Sequence, residues 1–159
     1  MITHLLQWFH DLSVSATVRE SFWVFPALEC THIYSMIFLI TVVAAFDLRL
    51  IGIKVSRHVQ SLSKLSKLVL RVGLVCFIVN FITGAFLFAS KAPDYYINSA
   101  FRIKILLIFF GVAYHSVLLI KASKWDEAPA SSMGTKLAGV FSLLLWVGVI
   151  AASRWIAFV

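Results

Sequence analysis

Four separate stretches of this chain, about residues 22–46, 72–90, 101–120 and 137–155, are each long and apolar enough to cross a bilayer as a helix, which takes about 20 mostly apolar residues. Composition agrees. The hydrophobic set makes up 61% of the chain and charged residues 13%, against about 45–50% and about 25% in soluble domains. That balance excludes a water-soluble globule and a disordered chain, and two cysteines inside apolar runs exclude a disulfide-stapled scaffold.

The 159 residues leave room for about four spans in one transmembrane domain covering 1–159. The expected fold is all-α, an integral membrane four-helix up-down bundle. Residues 1–20 precede it as a short amphipathic helix at the interface, since Leu5, Leu6, Trp8, Phe9 and Leu12 recur near helical spacing. Asp11 and the lack of a basic leader argue against a signal peptide. Pro26 fits the first turns of the following helix.

A formal charge of +7 points to nucleic acid in a soluble protein; here the positive-inside rule and anionic lipid account for it, and no nucleic-acid partner is expected. Arg49, Lys54, Arg57, Lys64, Lys67 and Arg71 lie between the first two spans, and Lys121, Lys124 and Lys136 between the last two. The opposite side holds only Arg19, Lys91, Arg102, Lys104 and Arg154. Both basic connections are therefore expected in the cytoplasm, with both termini outside. The loop Asp94-Tyr-Tyr-Ile-Asn then faces outward, and Trp125 and Trp155 mark the two membrane surfaces.

Ionisable groups inside a bilayer are costly and mark functional sites. The first span carries Glu29 and His32, and the third carries His115. His32 lies ~15 Å inward of Phe22, and His115 ~18–21 Å inward of Arg102 or Phe101, at ~1.5 Å per residue. Both fall near the midplane, on helices expected to be diagonal in the bundle. Two imidazoles at matched depth suit the two axial positions of a b-type haem, with Gly111 leaving a small surface beside His115 for a porphyrin face. A histidine that merely hydrogen-bonds a neighbouring helix is the alternative for each.

Glu29 precedes His32 by three residues and shares its helix face. It is expected to pair with Arg154 or to orient the imidazole. Arg102 and Arg154 fall near the outer face, where they match anionic propionates, and Lys104 is expected to snorkel to the interface. Glu29, Cys30, His32 and Met36 offer a second reading, an intramembrane metal-ion or small-solute site, although four such positions cannot share one helix face. Cys30 and Cys76 are expected to be small buried hydrophobes. Asn80 and Thr83 are expected to donate hydrogen bonds between helices beside a close approach at Gly84, and His4, His10 and His58 to be exposed.

The segments Phe25-Pro-Ala-Leu-Glu-Cys-Thr-His, Asp47-Leu-Arg-Leu-Ile-Gly, Thr83-Gly-Ala-Phe-Leu-Phe-Ala, Ala100-Phe-Arg-Ile-Lys and Ser153-Arg-Trp-Ile-Ala resemble an uncharacterised family of small four-helix bacterial inner-membrane proteins. More distantly, the chain resembles membrane cytochrome b proteins, copper-resistance D-type proteins and the four-helix membrane protoporphyrinogen oxidase. That wider resemblance implies haem in the bundle, held by His32. The segment Val112-Ala-Tyr-His-Ser departs from the family pattern, so a single-histidine haem stands beside the bis-histidine one. The expectation is a haem b electron carrier of the bacterial inner membrane, working between a donor such as quinone and a partner protein. A homo-oligomer is possible on sequence grounds, and a cofactor-free structural or assembly subunit is the remaining alternative.

Overall fold

In the computed structural model, which describes residues 2–53, 61–126 and 132–158, all four expected spans are long helices. They are α3 (Val24–Ile51), α4 (Leu62–Ser90), α6 (Ser99–Asp126) and α7 (Met133–Trp155), with a short 3-10 turn Ile156–Phe158 closing the last. Each is long and apolar enough to sit in a bilayer, and large apolar side chains such as Phe38, Phe81, Phe109 and Leu144 point outward from the bundle. The chain is a multi-pass membrane protein with an all-α, four-helix bundle fold. His58, Lys54, Arg57 and the turn at 128–131 lie outside the described residues.

The single surface helix expected over residues 1–20 is two helices, α1 (Ile2–Asp11) and α2 (Ser13–Glu20). Leu12 takes an extended conformation (φ −58°, ψ 136°) and breaks them apart. Arg19 Nη1 bonds the His10 ring at 3.2 Å and holds the two together, which leaves His10 half-buried rather than free. The expected outward loop around Tyr95 also folds, as α5 (Ala92–Ile97), with Pro93 in its first turn, where a missing N–H costs nothing.

Local signals set the helix ends. Ser61 and Ser132 accept backbone N–H bonds from Lys64 and Thr135 and so cap α4 and α7. Gly52, at φ 103°, closes α3 in a left-handed cap, with the Ile53 N–H returning to the Leu48 carbonyl at 3.0 Å. Pro26 sits in the first turn of α3 as expected. The helices outrun the expected spans because polar and basic flanks such as Ser61–Arg71 continue the helical turn; at ~1.5 Å per residue α4 exceeds the ~30 Å hydrocarbon layer.

Around the bundle, α3 packs against α4 and α7, and α6 against the same two, so α3 and α6 face each other across a diagonal. The buried apolar core is concentrated away from α5. It consists of Leu39, Val43, Phe46 and Leu50 of α3, Leu65 and Val69 of α4, Leu118 and Ala122 of α6, and Trp146 and Val149 of α7. On the α5 side of Leu39, the α3–α4 contact also carries four polar side chains, His32, Ser35, Asn80 and Thr83.

Candidate functional site

The polar half is built on the α3–α4 contact. His32 Nδ1 lies 2.9 Å from Thr83 Oγ1. Thr83 Oγ1 also lies 2.7 Å from the Val79 carbonyl and 3.3 Å from the Asn80 carbonyl of its own helix, so its single hydroxyl hydrogen has a backbone acceptor while the oxygen accepts from His32. In that arrangement the ring proton sits on Nδ1 and the lone pair on Nε2. Thr83 bonds across from α4 to α3, as expected of an interhelical hydrogen-bonding residue. Gly84 makes the approach possible, since a Cβ there would sit 3.2 Å from His32 Cε1.

One turn along, Asn80 Nδ2 donates to Ser35 Oγ at 2.8 Å and to the Cys76 carbonyl at 3.1 Å. Ser35 Oγ in turn donates to the His32 carbonyl at 3.1 Å. From the diagonal helix, Lys104 is half-buried and close enough for its charge to act on the His32 ring. It therefore reaches into the bundle, where snorkelling had been expected.

A second polar layer lies at the opposite end. His115 is 5% exposed, Asp47 is fully buried, and Ser142 is 1% exposed. His115 Nδ1 is 3.6 Å from Asp47 Oδ1 and 3.2 Å from Ser142 Oγ. Phe46 meets the imidazole edge-on at 5.4 Å and Trp146 at 6.4 Å between ring centroids. Both Asp47 oxygens, His115 Nε2 and Trp146 Nε1 are buried without a hydrogen-bond partner among the described residues. Unmet buried polar atoms cost about 1–3 kcal/mol each, so four in one layer is a costly arrangement for a purely structural core.

The two histidines are not brought together. His115 stands level with Asp47, fifteen residues after His32 on α3, which is ~22 Å of helix rise. Counting inward from helix ends had assumed that those ends are level. They are not: Asp47 lies 23 residues into α3 and His115 16 residues into α6, so α3 starts ~10 Å farther out. The residues present therefore do not fit a haem clamped between His32 and His115. His32 on its own has one ring nitrogen, Nδ1, held by a neighbouring helix.

The remaining expected site residues are scattered. Gly111 faces the Trp146 indole, with a Cβ there lying 3.8 Å from it, so that surface is filled by α7 packing. Glu29 is exposed and forms no ion pair with Arg154; it instead acts electrostatically on Tyr95. The Arg154 guanidinium lies over the Phe158 ring at 5.5 Å, carried there by the closing 3-10 turn. Arg102 is exposed at the start of α6. Cys30 is exposed and Cys76 half-buried, so the soft site of Glu29, Cys30, His32 and Met36 is not assembled. Among the described residues no three His, Cys, Asp or Glu side chains gather as a metal-ion site.

Fold and geometry together define a four-helix membrane bundle with a hydrogen-bonded polar α3–α4 contact at one end and a buried Asp–His pair at the other. No known family matches the chain, and no curated protein or solved structure matches it.

Proposed function

We propose that this chain is a membrane haem b protein in which His32 is the sole protein ligand to the iron. The observation that carries the reading is the His32–Thr83 bond, because ligating histidines hold one ring nitrogen by an outer hydrogen bond while the other faces the metal. The polar side chains of His32, Ser35, Asn80 and Thr83 between α3 and α4 support it by placing hydrogen-bonding groups around the imidazole inside the bundle. Lys104 supplies a cation beside the ligand for propionate carboxylates, and Arg102 lies two residues earlier at the same end.

The haem would contribute a one-electron couple, with the protein setting ligation, burial and charge. By the Lys/Arg bias the α5 end faces the outside of a bacterial inner membrane. A membrane-soluble quinol or an extracytoplasmic protein then suits the role of redox partner.

The test is the absorption spectrum of detergent-purified protein after haem-replete expression, oxidised and dithionite-reduced. A Soret band is expected in the wild type and in His115→Ala but not in His32→Ala. A wild type without a Soret band, or equal loss in both variants, overturns single-histidine ligation at His32.

A further inference from the structure

Far from His32, the layer of Asp47, His115 and Ser142 forms a second chemical site. Asp47 sits in the last two turns of α3, wholly buried, with its Oδ1 3.6 Å from His115 Nδ1. The only ion-pair partner that Asp47 meets among the described residues is this imidazole. The groups facing it from each neighbouring helix are few. From α6 these are His115 and Tyr114, whose hydroxyl donates to the Ala138 carbonyl at 3.3 Å. From α7 it is the Ser142 hydroxyl, and the buried residues of α4 at this end are the apolar Leu65 and Val69.

Charge balance in this low-dielectric layer decides how many protons the pair holds. With none it is a carboxylate beside a neutral imidazole, carrying an uncompensated −1; with two it carries an uncompensated +1. Both are disfavoured in a layer where, among the described residues, no other charged side chain pairs with either group. With one proton the pair is neutral, either as acid plus imidazole or as carboxylate plus imidazolium.

We propose that Asp47 and His115 form a proton-binding site that holds one shared proton. Transfer within the pair breaks the Asp47 O–H bond as the His115 Nδ1–H bond forms, on an imidazole already carrying hydrogen at Nε2; no electron moves. Ser142 Oγ, 3.2 Å from the same nitrogen, lies beside the gap and orients both partners. Asp47 is four residues from the end of α3 at Ile51, ~6 Å of rise, so the proton exchanges with water at that end. The site does not depend on the haem reading, since neither side chain touches His32 or its partners.

The test uses the full chain in lipid nanodiscs, with and without haem, between about pH 5 and about pH 8, the range over which an ordinary histidine titrates. Infrared difference against Asp47→Asn gives the fraction of Asp47 present as carboxylic acid. Nitrogen-15 NMR, assigned with His115→Gln, gives the fraction of His115 present as imidazolium. The two fractions are expected to sum to one proton per chain throughout, with His115 wholly neutral in Asp47→Asn. In Ser142→Ala the sum is expected to stay at one while the division between the partners changes. A wild-type sum near zero or near two at any pH in the range overturns the proposal, as does ordinary His115 titration that is the same in wild type and Asp47→Asn. Should Asp47→Asn fail to fold, the carboxylic-acid band is assigned by its shift in Ser142→Ala, and the wild-type sum decides.

Discussion

Gly139 of α7 rests directly on the backbone of α3 at Asp47: a Cβ added there would lie 2.8 Å from the Asp47 carbonyl oxygen, 3.0 Å from Leu50 Cβ and 3.1 Å from Ile51 Cγ1. Two of these neighbours are backbone or the root of a side chain, so they cannot swing aside, and small residues at membrane helix crossings serve such approaches. Gly139→Ala is expected to push α7 off α3 and cost about 1–3 kcal/mol, read as a lower midpoint in an SDS unfolding titration. Gly73→Ala is the control. Its Cβ would meet Leu39 Cδ1 at an ordinary 3.6 Å, and little change is expected.

Thr83 acts on His32 from the neighbouring helix, so its replacement separates orientation from ligation. Thr83→Val keeps the shape but removes the acceptor for Nδ1–H, and about a 10–100-fold loss of haem affinity is expected, the usual effect of deleting an outer hydrogen bond. Thr83→Ser restores the oxygen and is expected to restore binding. Titrating haem into protein purified without it measures all three forms, and equal affinity for Thr83→Val and wild type would remove Thr83 from the site.

Phe46 is fully buried and stands edge-on to His115 at 5.4 Å. Phe46→Ala is expected to cost about 3–5 kcal/mol by opening a cavity against the Asp–His pair. Phe109→Ala, at a side chain 69% exposed on the outward face, leaves the core intact. The two unfolding midpoints measured side by side test whether the core sits where Leu39–Leu50 place it.

The four spans were legible because lipid demands long apolar helices, and that demand is written directly into residue type. Pro26 and Gly84 could also be read from the chain, since each has a geometric reason independent of its distant neighbours. The level of one helix against another is not written that way. His32 and His115 looked matched because each was counted from its own helix end, and the offset between α3 and α6 depends on packing. Asp47 escapes such a reading because the apolar run stops at Phe46, so the polar residues that follow look like an exit from the membrane. Two signals pointed inward: Gly52 as the residue that stops the helix, and the spacing of Leu39, Val43, Phe46 and Leu50, which puts Asp47 beside the buried stripe. Gly111 and the Glu29–Arg154 pair failed for the same reason as the histidines, because the partner's position was inferred from depth alone.

Tyr95 supplies a prediction about pH at the end of the bundle that carries His32. Its ring stacks on Phe101 at 5.3 Å and on Phe88 at 6.3 Å, tying α5 to α4 and α6. Burial, followed by the negative charges of Glu29 and Asp94, raises its phenol above the ordinary value, which is about 10. The folded protein thus keeps this proton to higher pH than the unfolded chain does. The contribution is fully present below about pH 10 and is lost as pH rises through the higher folded value, because ionisation places an anion between two aromatic rings. A tyrosinate absorbance titration should show one late phenol that disappears in Tyr95→Phe, and Glu29→Gln should bring it to lower pH by removing a facing charge. The alkaline fall in stability should be shallower in Tyr95→Phe, which keeps the stack without the hydroxyl. Identical alkaline profiles for wild type and Tyr95→Phe would show that Tyr95 does not couple the docking of α5 to pH.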